Sequence, residues 1–245
     1  MLLESTYNTS ENPSIAGLVS LNYRLSPHPD YPASPSDAAR NARHPDHIND
    51  ILAAIGHLQS SYPHLKDNYI LAGHSCGATL SLQVAMSQAV WPALSQSESV
   101  SNHNGVKPYP PLAVVGIEGI YDLPALVAYN SAQPIYETFA TGAFGSDRAV
   151  WKDVSPTNGR FNESWPGGRL VLLAHSKEDE LVEWEQVDLM EASLRTQGIG
   201  EEEGKKRVLE VLRLQGLHHE IWQKGGELVK AIERALEILI KTEGK

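Results

Sequence analysis

The stretch Gly73-His74-Ser75-Cys76-Gly77 lies between a short apolar run and a long segment without proline, and it decides the fold. The apolar run, residues 69–72, predicts a strand, and residues 75–90 predict a buried helix. A serine with a glycine two residues before it and another two residues after it, between a strand and a helix, is typical of a nucleophile elbow. Such a turn is so tight that side chains on the glycines would clash. It points the serine hydroxyl toward solvent, close to the N-terminal amides of the helix.

Outward from this turn, the chain alternates between apolar strands and helical segments. Further strands are predicted at residues 15–23, 112–117, 169–174 and 207–214. Apolar residues recur at helical spacing in residues 46–58, 185–195 and 220–241. Apolar strands separated by helices indicate an α/β fold with a mostly parallel central sheet and helices on both faces. No linker or repeat divides residues 1–245, so we expect a single domain.

Composition and charge exclude several classes of protein. The 245 residues include 20 Lys and Arg against 30 Asp and Glu, and the formal net charge of −10 argues against nucleic acid or an anionic membrane as a partner. The single cysteine, Cys76, excludes an intramolecular disulfide and a zinc site built on several thiolates. No apolar run is long enough for a membrane span, and residues 1–13 carry no secretory signal. We therefore expect a cytoplasmic protein.

A serine is a weak nucleophile until a base removes its proton, so a carboxylate and a histidine are expected further along the chain. On folds with this elbow the order is serine, acid, histidine. Three candidate acids, Glu178, Asp179 and Glu180, follow the strand predicted at residues 169–174. We select Asp179 because it directly precedes the turn into the next apolar residues.

Two adjacent histidines, His218 and His219, follow the strand predicted at residues 207–214, and either is a candidate base. A metal ion is not expected, because the histidines and aspartates of residues 44–50 match no strong ligand spacing. We expect no cofactor and a small molecule as the substrate. The sequence leaves the oligomeric state open, and a homodimer is one alternative.

Five segments carry a resemblance to a known family that extends over roughly residues 15–240. They are the elbow, the Tyr-Arg-Leu of residues 23–25, the Gly-Ile-Tyr of residues 119–121, and residues 175–181 and 216–222. In combination they resemble the fungal-type, eukaryotic kynurenine formamidases (arylformamidases) of the α/β-hydrolase superfamily. The resemblance implies the α/β-hydrolase fold and hydrolysis of N-formyl-L-kynurenine to formate and L-kynurenine, a step of tryptophan breakdown.

The resemblance also implies roles for individual residues. It implies that Ser75 is the nucleophile and Asp179 the acid of a catalytic triad. It favours His218 over His219 as the base, because the family's histidine directly follows a glycine and an apolar residue. It further implies that the N–H group of Cys76 belongs to the oxyanion hole, where it would stabilise the negative oxygen of the reaction intermediate.

One feature of the family is missing from this sequence. The family carries a His-Gly-Gly segment that completes the oxyanion hole, and no histidine here is followed by two glycines. We therefore expect the N-terminal strands to be truncated and Cys76 to be the remaining family-matched donor. Losing one such donor typically costs about 10²–10³ in turnover.

Two other functions therefore remain alternatives. One is a general carboxylesterase for small acyl esters, because the elbow and triad do not specify the acyl group. The other is a non-catalytic binding module with a hydrolase fold, which the missing segment favours.

Overall fold

The computed structural model describes residues 15–28, 37–86, 108–200 and 207–243. Within these residues a parallel sheet of four strands has the order β1 (Ile70–His74), β2 (Ala113–Ile117), β3 (Leu170–Ser176) and β4 (Val208–Leu214). The helices are α1 (Asp46–Ser61), α2 (Cys76–Met86), α3 (Leu123–Tyr129), α4 (Pro134–Phe144), α5 (Arg148–Val154), α6 (Phe161–Ser164), α7 (Glu185–Thr196), α8 (His218–Lys224) and α9 (Gly226–Glu243). Short 3-10 turns occur at Ala38–Arg40, Pro63–Lys66 and Pro156–Asn158.

Both faces of the sheet are buried under helices. On one face, Val114, Val171 and Leu173 belong to a core that includes residues of α2 and α7. On the other face, Val115 and Leu172 belong to a core that includes residues of α9. Because successive residues of a strand point to opposite faces, a sheet covered on both sides requires nearly continuous apolar strands. The predicted parallel sheet with helices on both faces is confirmed.

A one-residue turn at Ser75 connects β1 to α2. Ser75 has a φ of +56°, and its N–H donates to the Ile117 carbonyl at 2.8 Å, which anchors the turn to β2. A Cβ atom at Gly73 would lie 2.1 Å from the carbonyl oxygen of Gly77. Close packing of the strand against the helix therefore requires glycine at position 73.

The strand predicted at residues 15–23 is wrong. These residues form no regular secondary structure, and Leu18 and Val19 are 48% and 62% exposed. A strand needs a hydrogen-bonded neighbour, and among the described residues β1 pairs only with β2. The next residue, Arg24, instead fastens this part of the chain to α1 by an ion pair of 2.8 Å with the Asp50 carboxylate.

Two predicted helices differ from the observed ones. The helix predicted at residues 220–241 is two helices, because Gly225 adopts a left-handed conformation with a φ of +76° that ends α8. The helix predicted at residues 75–90 is observed to Met86, and residues 87–90 lie outside the described part of the chain, as do residues 1–13. None of the helices in the described ranges is long and apolar enough to cross a membrane.

We predict that Gly73→Ala destabilises the protein and that Gly77→Ala does not. The new methyl group at position 73 must displace backbone atoms, which we expect to cost about 3 kcal/mol. At this chain length that corresponds to a fall in Tm of about 6–12 °C. A Cβ at Gly77 meets no atom within 4 Å, so this variant is the matched control. Thermal unfolding followed by circular dichroism measures both, and equal Tm values for the two variants would contradict the elbow geometry.

Candidate active site

The carboxyl ends of the four parallel strands meet at one edge of the sheet, where ligand sites of α/β proteins form. Each strand end supplies one polar residue: Ser75 after β1, Glu118 after β2, Asp179 after β3 and His218 after β4. Three of these are the site residues predicted from the sequence. The fourth, Glu118, was not predicted from the sequence.

Asp179 and His218 are in direct contact. The Nδ1 atom of His218 lies 2.8 Å from Oδ2 of Asp179, and both side chains are buried. The other oxygen of Asp179 accepts the N–H groups of Leu181 and Val182, each at 2.9 Å. Burial alone would raise the pKa of Asp179, but the hydrogen bonds from His218 and these amides outweigh it and hold the pKa below its usual value. The carboxylate is therefore ionised and orients the imidazole.

The other acids and the other histidine make different contacts. Glu180 accepts the backbone N–H of His218 at 2.9 Å, and Glu178 accepts a backbone N–H of the loop between β4 and α8 at 3.2 Å. His219 is exposed at the surface. Of the candidates that the sequence leaves open, the structure brings together the side chains of Asp179 and His218.

The Ser75 side chain is half-buried at the elbow. His218 Nδ1 is bonded to Asp179, and no hydrogen bond joins the Ser75 hydroxyl to another described residue. Hydrogen bonds between a catalytic serine and its base often form only when substrate is bound. The structure therefore brings acid and histidine together but does not join the serine to them.

Cys76 directly follows Ser75 and is the first residue of α2. The first amides of a helix have no acceptor within it, so the Cys76 N–H is available to a negatively charged oxygen near the serine. Its thiol is exposed and lies 3.5 Å from the hydroxyl of Tyr23. This contact links the segment before α1 to the elbow.

Glu118 is a buried acid beside both histidines of this edge. Its side chain is 0% exposed, and its Oε2 lies 3.4 Å from His74 Nε2 and 3.4 Å from His218 Nδ1. Burial raises the pKa of Glu118, the charge of Asp179 raises it further, and the hydrogen bond with His74 offsets only part of this. A positive φ of 46° adds backbone strain, which costs a residue other than glycine about 1–3 kcal/mol.

Sequence patterns alone do not single out Glu118. The available signal is its position directly after an apolar strand, which predicts a carboxylate at the same edge of the sheet as the elbow. Its burial and its contact with the two histidines depend on how three strand ends pack, and no local pattern encodes that.

His74, Glu118 and His218 each bring one potential metal ligand within 4.8 Å of the others. In each histidine, however, the ring nitrogen that faces Glu118 already carries a proton and donates it to another acceptor. His74 Nε2 donates to the carbonyl of His218 at 3.1 Å, since a carbonyl can only accept, and His218 Nδ1 donates to the ionised Asp179. A protonated nitrogen has no lone pair for a metal. The cluster is therefore a hydrogen-bond network.

Comparison with known proteins relates this chain to a hydrolase family. Residues 15–194 match the sequence profile of the family described as BD-FAE. The kynurenine formamidase-like hydrolase fscH of Fusarium equiseti is 37% identical over an alignment of 230 residues that covers 92% of this chain and 71% of that protein. The kynurenine formamidase avaC of Aspergillus versicolor is 35% identical over an alignment of 233 residues that covers 86% of this chain and 71% of that protein.

The fold is similar to that of solved esterases. An acetyl ester-xyloside bifunctional hydrolase from Caldicellulosiruptor lactoaceticus superposes with a TM-score of 0.57 at 17% identity, covering 82% of this chain and 67% of that chain. Together with the parallel sheet and its elbow, this similarity confirms the predicted α/β-hydrolase fold.

We predict that Glu118→Gln stabilises the protein increasingly as the pH rises. The folded protein retains a proton on Glu118 that an unfolded chain releases above about pH 4.3. Between that pH and the raised pKa of the folded state, stability therefore falls with increasing pH, and the glutamine variant escapes this loss. We expect the Tm difference between variant and wild type, measured by scanning calorimetry between pH 4.5 and pH 8, to grow with pH until Glu118 ionises in the folded protein and to stay constant above that pH.

The control for this measurement is Glu163→Gln, which changes an exposed carboxylate away from the site. Its Tm difference from wild type is expected to stay constant over the same range. A difference for Glu118→Gln that shrinks toward pH 8 would contradict the raised pKa.

Proposed function

Because the chain belongs to the kynurenine formamidase-like hydrolases of the BD-FAE family, we propose that it hydrolyses N-formyl-L-kynurenine to formate and L-kynurenine. The observation that carries the mechanism is the 2.8 Å hydrogen bond between His218 Nδ1 and Asp179 Oδ2. With its Nδ1 proton held by the carboxylate, His218 presents Nε2 as the atom that accepts a proton. This is the arrangement a serine hydrolase requires of its base.

In the proposed first step, Ser75 Oγ attacks the formyl carbon and His218 Nε2 takes the hydroxyl proton. The carbonyl oxygen becomes negatively charged, and the Cys76 N–H donates to it. The carbon–nitrogen bond then breaks, its electron pair goes to the aniline nitrogen, and His218 returns the proton to that nitrogen. The products of this half-reaction are L-kynurenine and a formyl ester of Ser75.

In the second step, a water molecule attacks the formyl ester. His218 accepts a proton from the water and returns it to the Ser75 oxygen as the ester bond breaks. Formic acid leaves and loses its proton to the solvent to become formate, and the serine hydroxyl is restored. Through this reaction the protein would act in tryptophan breakdown.

Two aromatic side chains flank the proposed triad and are suited to contact the aniline ring of the substrate. Trp222 lies on α8, one turn beyond His218, and is 42% exposed. Tyr136 donates its hydroxyl proton to the Leu181 carbonyl at 2.8 Å, beside the loop that carries the acid. Tyr121 is fully buried in the core and is excluded from this role.

The test is turnover of N-formyl-L-kynurenine by the purified 245-residue chain. We expect activity in the wild type and a fall of about 10⁴-fold or more in Ser75→Ala, because loss of the nucleophile removes the covalent route. Circular dichroism of both proteins shows that the fold is retained. The control variant Ser193→Ala changes a serine on α7 whose hydroxyl bonds the Thr157 carbonyl, so it is expected to keep full turnover.

Two further assays separate the alternatives. Turnover of p-nitrophenyl acetate without turnover of the formyl compound would replace the formamidase with a general esterase. A fluorophosphonate probe labels a serine only when a base activates it. A folded wild type that resists both substrates and the probe would contradict a catalytic role and favour a binding module.

A further inference from the structure

We propose that Glu118, together with His74, positions His218 for proton transfer and acts as a second carboxylate partner of its imidazole. This inference rests on the serine hydrolase function proposed above. It assigns a role to a buried acid that the triad of Ser75, Asp179 and His218 does not use. Glu118 is a positioning residue, since it acts on the substrate only through His218.

The location of Glu118 follows from the order of the strands. β2 lies between β1, which leads to the serine, and β3, which leads to the acid. The Glu118 N–H donates to the Ala174 carbonyl of β3 at 2.8 Å, and the preceding Ile117 carbonyl accepts the N–H of Ser75 at 2.8 Å. Hydrogen bonds at Ile117 and Glu118 therefore hold this end of β2 against both neighbouring strands. The Glu118 carboxylate lies beside His74, which ends β1, and His218, which follows β4.

The contacts of Glu118 and His74 fix His218 from two directions. Oε2 of Glu118 is 3.4 Å from His218 Nδ1, next to the 2.8 Å bond from Asp179. The same oxygen accepts from His74 Nε2 at 3.4 Å, and this nitrogen also donates to the backbone carbonyl of His218 at 3.1 Å. The two histidine rings also pack with their centroids 4.5 Å apart. One carboxylate thus lies beside the ring and is linked through His74 to the backbone of His218.

The conformation and surroundings of Glu118 are energetically unfavourable, which indicates that the residue has a functional role. It combines a positive φ with complete burial, and its Oε1 has no hydrogen-bond partner in the described part of the chain. Strained and incompletely paired groups of this kind concentrate at functional sites, where the surrounding structure enforces them. The groups that face Glu118 are His74, His218, Asp179 and Tyr121, so its charge acts mainly on the two histidines.

The chemical consequence arises when His218 accepts the serine proton. The imidazole then becomes positively charged at a buried position, where a preorganised negative charge is more effective than in water. Asp179 supplies the bonded carboxylate. Above its raised pKa, Glu118 is ionised and supplies a second carboxylate near the same nitrogen. Loss of Glu118 should therefore slow proton transfer while leaving substrate binding unchanged.

The test compares Glu118→Gln with the matched control Glu183→Gln. Glu183 is a half-buried acid whose pKa, like that of Glu118, is raised. Its oxygens, however, accept hydrogen bonds from Gln186 and Asn130 and contact neither histidine. We expect Glu118→Gln to lower kcat for N-formyl-L-kynurenine about tenfold to a hundredfold with KM unchanged, as a misplaced catalytic group does. The low-pH limb of its kcat profile is expected to move to lower pH, because the protonated imidazole loses a stabilising charge. Glu183→Gln is expected to keep the wild-type values.

The rate of Ser75 labelling by a fluorophosphonate is measured in parallel. Labelling depends on the base but not on recognition of the formyl compound, so it tests Glu118 even where the proposed substrate fails. We expect the same fall in the labelling rate of Glu118→Gln. In a His218→Ala background, Glu118→Gln is expected to change the rate less than about twofold, since it has no base to act through.

Three outcomes would overturn the proposal. They are an unchanged labelling rate in Glu118→Gln, an equal fall in Glu183→Gln, or the same further fall in the His218→Ala background. His74→Gln keeps the test decisive where Glu118→Gln lowers the folded fraction by circular dichroism. It removes the ring that joins the carboxylate to the His218 carbonyl, and an unchanged labelling rate in this folded variant would equally refute the role.

Discussion

Parallel hydrogen bonding between four successive strands is the constraint on which the site depends. The last residue of β1, His74, pairs with Ile117 of β2, which pairs with Ala174 of β3. Because all the strands run in one direction, the residues that follow them come together at a single edge. His74 and His218 are 144 positions apart in the chain and are nevertheless hydrogen-bonded there. A shift of one residue in this register would move every following side chain to the opposite face.

Two buried acids lie at the edge of the sheet that carries the site, and they differ in how well their oxygens are hydrogen-bonded. Asp179 accepts three hydrogen bonds and is well satisfied, whereas one oxygen of Glu118 has no partner among the described residues. An incompletely paired buried carboxylate is unfavourable, so the surrounding apolar sheet must supply the stability that maintains it. The fully buried side chains of β2 and β3 do this from both faces. The stable centre of the sheet and the strained end of β2 are therefore parts of one arrangement.

Elements that depend on interactions between residues close in sequence were predicted correctly more often than those that depend on distant residues. β2 and β3 were predictable because burial on both faces requires continuous apolar residues, whatever lies further along the chain. The elbow was predictable because the contact that requires glycine at position 73 is with Gly77, only four residues away. Residues 15–23 have the same apolar character as β2, but a strand also needs a neighbour, and the described sheet provides none. The prediction of one helix at residues 220–241 was wrong because of a single residue. The apolar periodicity continues across Gly225, but the left-handed backbone at Gly225 ends the first helix.

The sequence by itself determined the α/β fold, the elbow at Ser75 and the order in which acid and histidine follow it. These depend on periodicity and on backbone requirements that a short segment carries within itself. The sequence favoured Asp179 and, through the family resemblance, His218, but only the tertiary structure showed that their side chains meet, because Glu178, Asp179 and Glu180 are chemically similar and adjacent. The tertiary structure also decided that Glu118 joins them. A residue enters this site through the pairing of distant strands, and that pairing has no signature in the residues beside it.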